Sequence, residues 1–181
     1  MSSSYAMAEA EVRELCQELI TAFHPDMDSA DVKVDLLMAF RDPEGEEPAL
    51  SKDKNRILGL SKTIGLKDRV KGMGDCEVIL DGDAWQSLTL KEKSALLDHQ
   101  LEHFEVKRDK DGSFVFDDIN RPVLKIRPHD RVMRFFDTVA SRHREHSIEA
   151  DQLRSMFMRQ HQTYLPFVPA GEDCPKEGDE A

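Results

Sequence analysis

An α+β fold is what this sequence predicts, and three observations carry it. Apolar residues recur at helical spacing near the N-terminus and again in the second half. Between them lie short β-branched and apolar runs separated by turn residues, most of them compatible with hairpins. At 181 residues, 39% of them hydrophobic, the chain is long enough for one domain with a real core.

Each element follows from local pattern. In residues 8–23, AEAEVRELCQELITAF, Val12, Leu15, Leu19, Ile20 and Phe23 share a helical face. Pro25 forbids its smooth continuation. Residues 32–40, VKVDLLMAF, read as a strand. RDPEGEEPALSKD, 41–53, reads as a solvated loop, with two prolines, a glycine and a surplus of acids. NRILGLSKTIGL, 55–66, reads as a second strand weakened by Gly59 and Gly65. Gly72 and Gly74 mark a turn before CEVIL, 76–80, a third strand.

From Ala84 the pattern turns helical. Thr89 and Glu92 form a capping box, opening a helix over about residues 90–105. VKRDKDGSFVF then reads as a hairpin around Asp111-Gly112. PVLKI, 122–126, is a further strand. Helices are expected over 129–143 and 147–161. Residues 1–169 are expected to form one domain, and the acidic tail 170–181 to be disordered.

Composition narrows the function. The net charge of −11 argues against a general nucleic-acid coat. No apolar run reaches the roughly 18 residues of a membrane helix, and no secretory signal opens the chain. Cys16, Cys76 and Cys174 are odd in number and far apart, as free thiols in a reducing cytosol would be. A cytoplasmic protein is expected.

The chemistry concentrates in LLDHQLEHFE, residues 96–105. His99 and His103 stand four apart on a helix and therefore on one face. Two imidazoles so placed can converge on Zn2+. The bland alternative is a chance pair in a chain with seven histidines. In an H-E-x-x-H site the residue after the first histidine is the general base. Here it is Gln100, whose amide hydrogen-bonds water but takes no proton near neutral pH. Glu102 completes the inverted pattern H-x-x-E-H and is the candidate base in that arrangement. Its plainer reading is a solvated carboxylate on the helix face.

A catalytic zinc usually takes three protein ligands. His129, Asp130, His143, His146 and His161 are candidates for the third. His129 is chosen, because LKIRPHD places it after a strand and Pro128 with little slack. Asp98 or Asp130 is a candidate for orienting an imidazole N–H.

Several of these pieces together resemble the putative phage metallopeptidase family: HPDM, MAFRD, GLSKTIGL, ALLDHQLEH, PVLKIRPHD and VMRFFDTVASRH. The likeness spans roughly residues 10–145. His99 and His103 fall on the two histidines of the family's A-L-L-D-H-E-L-x-H, and His129 on that of its R-P-H-D. Gln100 falls where the family has its catalytic glutamate. The resemblance implies a zincin-like fold, with a small mixed or antiparallel sheet, a metal-binding helix and flanking helices. It also implies a phage origin and a bacterial host cell.

The expected function is a zinc-binding, zincin-like phage protein, catalytically impaired at Gln100 and acting by binding a host bacterial protein. One alternative is an active zinc peptidase using Glu102. Another is local nucleic-acid contact through the basic segments 54–71 and 121–145, with six and seven basic residues. Pairing of those cations with the acidic surplus is the simpler account of them.

Overall fold

The computed structural model describes residues 4–44, 47–52, 55–128, 136–150, 152 and 154. Helix α1 (Ala10–Phe23) forms where the apolar spacing predicts, burying Val12, Cys16, Leu19 and Ile20. The chain breaks at His24, as Pro25 requires. Pro25 then opens a short helix, α2 (Pro25–Ser29), at a position where its missing N–H costs nothing.

The main sheet has four strands. They are β1 (Ser4–Met7), β2 (Val34–Phe40), β5 (Gly59–Thr63) and β6 (Cys76–Asp81), in the order β1-β2-β6-β5. β2 and β6 run parallel, while β1 and β5 pair antiparallel on the outside. The sheet is thus mixed, within an α+β architecture. β1 was not legible in MSSSYAM, because all four of its residues are exposed and it carries no buried face.

The expected strand over 55–66 divides. Asn55–Arg56 (β4) pairs with Ser51–Lys52 (β3) in a two-stranded ribbon, and only Gly59–Thr63 joins the sheet. Gly65 then precedes a short helix, α3 (Leu66–Val70), that the sequence reading did not anticipate. β6 is buried along its whole length. Its Cys76, Val78 and Leu80 enter the larger core. Ile79 faces the other way, onto Ala39, Ala49 and Leu50. The acidic loop is therefore not solvated throughout: Ala49 and Leu50 close the second face of the sheet.

Helix α4 (Gly82–Ser87) is capped by Asp81, which accepts from the Ala84 N–H. Helix α5 (Leu90–Glu102) opens with the expected capping box. Thr89 accepts from the Glu92 N–H, and the Glu92 carboxylate accepts from the Thr89 N–H at 2.8 Å. α5 lays Leu96, Leu97 and Leu101 into the same core as α1. It ends at Glu102, earlier than the expected 105. His103 is its C-cap, and Phe104–Val106 becomes a strand, β7, antiparallel to β8 (Leu124–Ile126). Phe104 and Val106 are buried, so an extended chain serves the core better there than another helical turn.

The excursion between β7 and β8 turns at Gly112, with φ +84°, and closes with the isolated bridges Arg108↔Phe114 and Phe116↔Pro122. Arg69 of α3 fastens it to the sheet. Its buried guanidinium donates to Asp117 at 2.9 Å and to the Pro122 carbonyl at 2.9 Å. Beyond β8, the described chain is helical in short pieces. A wide turn over Phe136–Ala140 leads into α6 (Ser141–His143), a tight turn over Arg144–His146 and a helical turn at 148–150. The remainder of both expected C-terminal helices, and the 170–181 tail, lie outside the described residues. Among those described, no helix is long and apolar enough to cross a membrane.

Candidate metal centre

The capping box fixes the start of α5, and the leucines at 96, 97 and 101 fix its rotation. What remains for the other faces is the polar set at 98, 99, 100, 102 and 103, all of it buried. The His99 and His103 rings lie edge to face, with centroids 5.1 Å apart. Each is held from behind through Nδ1. The His103 Nδ1 lies 2.8 Å from the Arg127 carbonyl oxygen, and the Arg127 N–H returns a bond to the His103 carbonyl at 2.7 Å. The His99 Nδ1 meets a Glu149 carboxylate oxygen. A carbonyl and an ionised carboxylate only accept, so each Nδ1 is assigned a proton, which in a neutral ring makes it the Nδ1–H tautomer. That tautomer gives the lone pair to Nε2, the atom that ligates metal in such sites.

The cleft around the pair has a volume of about 610 Å³. Gly59, Ser61, His99, Gln100, His103 and Arg127 are among its lining residues. β5 forms one wall, and it has a partner strand on only one side among the described residues. Gln100 is locked against that wall. The Ser61 hydroxyl lies 2.9 Å from both the side-chain oxygen and the main-chain carbonyl of Gln100. Gly59 makes the fit possible: a Cβ there would stand 2.8 Å from the Gln100 Cδ. Gly59→Ala is therefore expected to displace the amide and destabilise the fold by about 1–3 kcal/mol through overpacking. A urea midpoint that falls at constant m-value is the measurement.

Glu102 is not a solvated helix-face carboxylate. It is buried and paired with Arg127 at 3.1 Å, and Arg142 stands 3.6 Å away. Asp98 faces away from the histidine pair. It is fully buried and accepts from two other imidazoles, His24 Nε2 at 2.7 Å and His143 Nε2 at 2.8 Å. Arg142 adds contacts of 3.1 and 3.2 Å. Burial alone would push this carboxyl up. The bonds from His143 and His24, with the charge of Arg142, outweigh that and hold it well below the ordinary carboxylate range. Asp98 thus orients imidazoles, but those of His24 and His143. His146 is half-buried, 3.5 Å from Glu145.

His129, Asp130 and His161 lie outside the described residues. Among the described ones, no group of three or more His, Cys, Asp and Glu side chains is arranged to hold a metal ion. The fit is thus of two imidazoles, both in the ligating tautomer. Beside them one buried atom, the second oxygen of Glu149, has no hydrogen-bond partner among the described residues.

The family model described as putative phage metallopeptidase matches residues 4–158. The chain belongs to that family. No curated protein and no solved structure matches it. Membership of the phage metallopeptidase family suggests a metal cofactor, and the α5 histidines are where the described chain offers donors for one. The family match also spans the C-terminal turns that carry Arg142, His143 and Glu149. Sequence reasoning missed Glu149 and His24, since each lies at least 50 residues from its partner on α5. SIEA reads as a helix start, and HPDM as a helix break and a piece of the family likeness, neither of which points to α5.

Proposed function

We propose that this family member binds zinc through His99 and His103, with His129 as third ligand, on a zincin-like scaffold. Its peptidase chemistry is impaired, and it acts in the bacterial cytoplasm by holding a host protein. The observation that carries this reading is the pair of imidazoles fixed as Nδ1–H tautomers beside a Gln100 amide that Ser61 and β5 hold in place. Zinc bound there would act as a Lewis acid toward a carbonyl or a water. The chain's own contribution is what differs. The Gln100 amide accepts or donates a hydrogen bond but removes no proton. Glu102 lies roughly 200° around the helix from Gln100 at 3.6 residues per turn, and its carboxylate faces Arg127. The side of β5 that has no partner strand among the described residues, and the cleft beside it, suit an extended segment of a partner, added alongside the strand.

The basic segments favour this reading over nucleic-acid contact. In 54–71, Arg56, Lys62, Arg69 and Lys71 all pair with acids of the chain itself. In 121–145, so do Arg121, Arg127 and Arg142.

Protein purified without added zinc is expected to carry one zinc per chain, and His99→Ala is expected to lose it. Equal metal in both, or none in either, removes the site. Chelation should also lower the melting temperature. A ligand bound only by the folded state contributes about 4 kcal/mol at a thousandfold excess over Kd. A pull-down from a bacterial host, repeated with Leu60→Arg on β5, tests the binding role. A host protein retained by wild type and lost from the variant supports it.

A further inference from the structure

We propose that Glu149 is a positioning residue of the metal centre, a carboxylate that fixes His99 for zinc and makes the C-terminal turns part of the site. This inference rests on the zinc reading of His99 and His103.

The geometry comes first. Glu149 is buried, at 3% exposure, and one of its oxygens contacts the His99 Nδ1. Its other oxygen, Oε2, is buried and has no hydrogen-bond partner among the described residues. A carboxylate placed like this is costly unless a positive charge lies nearby. The described contacts of Glu149 supply only a ring N–H. A divalent cation on the far side of that ring supplies the missing charge. It also makes the Nδ1–H a stronger donor, while the carboxylate makes Nε2 a more basic ligand.

The position of Glu149 is built rather than incidental. Ser147, 1% exposed, caps the turn that carries it, accepting from the Ala150 N–H at 3.1 Å. Just upstream, Arg142 and His143 are tied to Asp98, the residue before His99. The C-terminal turns are thus tied to α5 on both sides of the site, through Asp98 and through His99 itself. Glu149 meets Nδ1, across the ring from Nε2, which is the place of an orienting group and not of a ligand.

The test is a zinc titration of apo protein against a chromophoric chelator, with wild type, Glu149→Gln and His103→Ala. Glutamine preserves shape and still accepts from Nδ1, so the fold is expected to survive; a melting curve of each apo protein checks this. Glu149→Gln should keep one zinc per chain with affinity lowered about 10- to 100-fold. Cobalt substituted for zinc should give the same visible spectrum in both, since the ligand set is unchanged. In wild type, imidazole NMR should show His99 as the Nδ1–H tautomer.

Three outcomes overturn the proposal. Wild-type affinity in Glu149→Gln removes the role of Glu149 and leaves the zinc site standing. An altered cobalt spectrum makes Glu149 a ligand instead. A wild-type chain that binds no zinc removes the metal centre itself.

Discussion

Gln100→Glu should gain zinc-dependent cleavage of unstructured protein substrates, by about two to four powers of ten over wild type. That is the usual contribution of a positioned general base. The structure suits the exchange. A carboxylate occupies nearly the same volume as the amide, and the Ser61 hydroxyl, 2.9 Å from Gln100 Oε1, can donate to either. Gly59 leaves the same space open beside it. What changes is charge. Without metal, a carboxylate at this 4% exposed position is buried with the Ser61 hydroxyl as its donor, and the variant should be less stable than wild type. With metal, the charge is compensated, so the melting temperature of Gln100→Glu should depend on zinc more steeply than that of wild type. Two measurements decide it: cleavage with and without chelator, and melting with and without zinc. If wild type itself cleaves, and Glu102→Gln abolishes this with zinc retained, the inverted arrangement is the mechanism instead. Such a result would require Glu102 to leave Arg127.

How much of this was legible in the sequence depends on the range of the contact. α1, β2, β6 and the start of α5 each carry their own evidence: apolar spacing, a β-branched run, or a capping box within four residues. The helical pairing of His99 with His103 is equally local. The end of α5 was misplaced because Phe104 satisfies a helical pattern and a strand pattern alike; the need to bury both Phe104 and Val106 decides for the strand. β1 has no buried face to leave a pattern. The segment 41–53 reads as solvated because its acids outnumber Ala49 and Leu50, yet those two residues close a sheet face. The supporting groups of the site were hidden for a different reason. Asp98 meets His24 across 74 residues and His143 across 45. No spacing rule reaches that far. The DHQLEH run showed that a carboxylate precedes the first histidine, but not which imidazoles it serves.

Asp98→Ala is expected to destabilise the fold by about 3 kcal/mol, the lower end of the range for breaking a buried charge pair. The lower end applies because two of the three abandoned partners are imidazoles, whose hydrogen bonding does not oblige a charge. The third, Arg142, has Glu102 3.6 Å away. Asp98→Asn separates charge from shape. One amide oxygen can still accept, but the NH₂ then faces a second donor, either His24 or His143, and a buried mismatch of that kind costs about 1–3 kcal/mol. The order wild type, Asn, Ala in urea midpoint follows. The sign of the pH dependence follows too. The folded carboxyl titrates below its ordinary range, so its contribution is complete above the unfolded value of about 4 and is lost only as the pH falls through the lower folded value. The gap between wild type and Asp98→Asn should therefore shrink in strong acid. The same network also ties α6 to α5, and with it the turn that carries Glu149. Asp98→Asn should accordingly weaken zinc binding without touching a ligand, and adding Glu149→Gln should weaken it less than in the wild-type background. Full additivity of the two losses would mean that Asp98 holds the fold but not the position of Glu149.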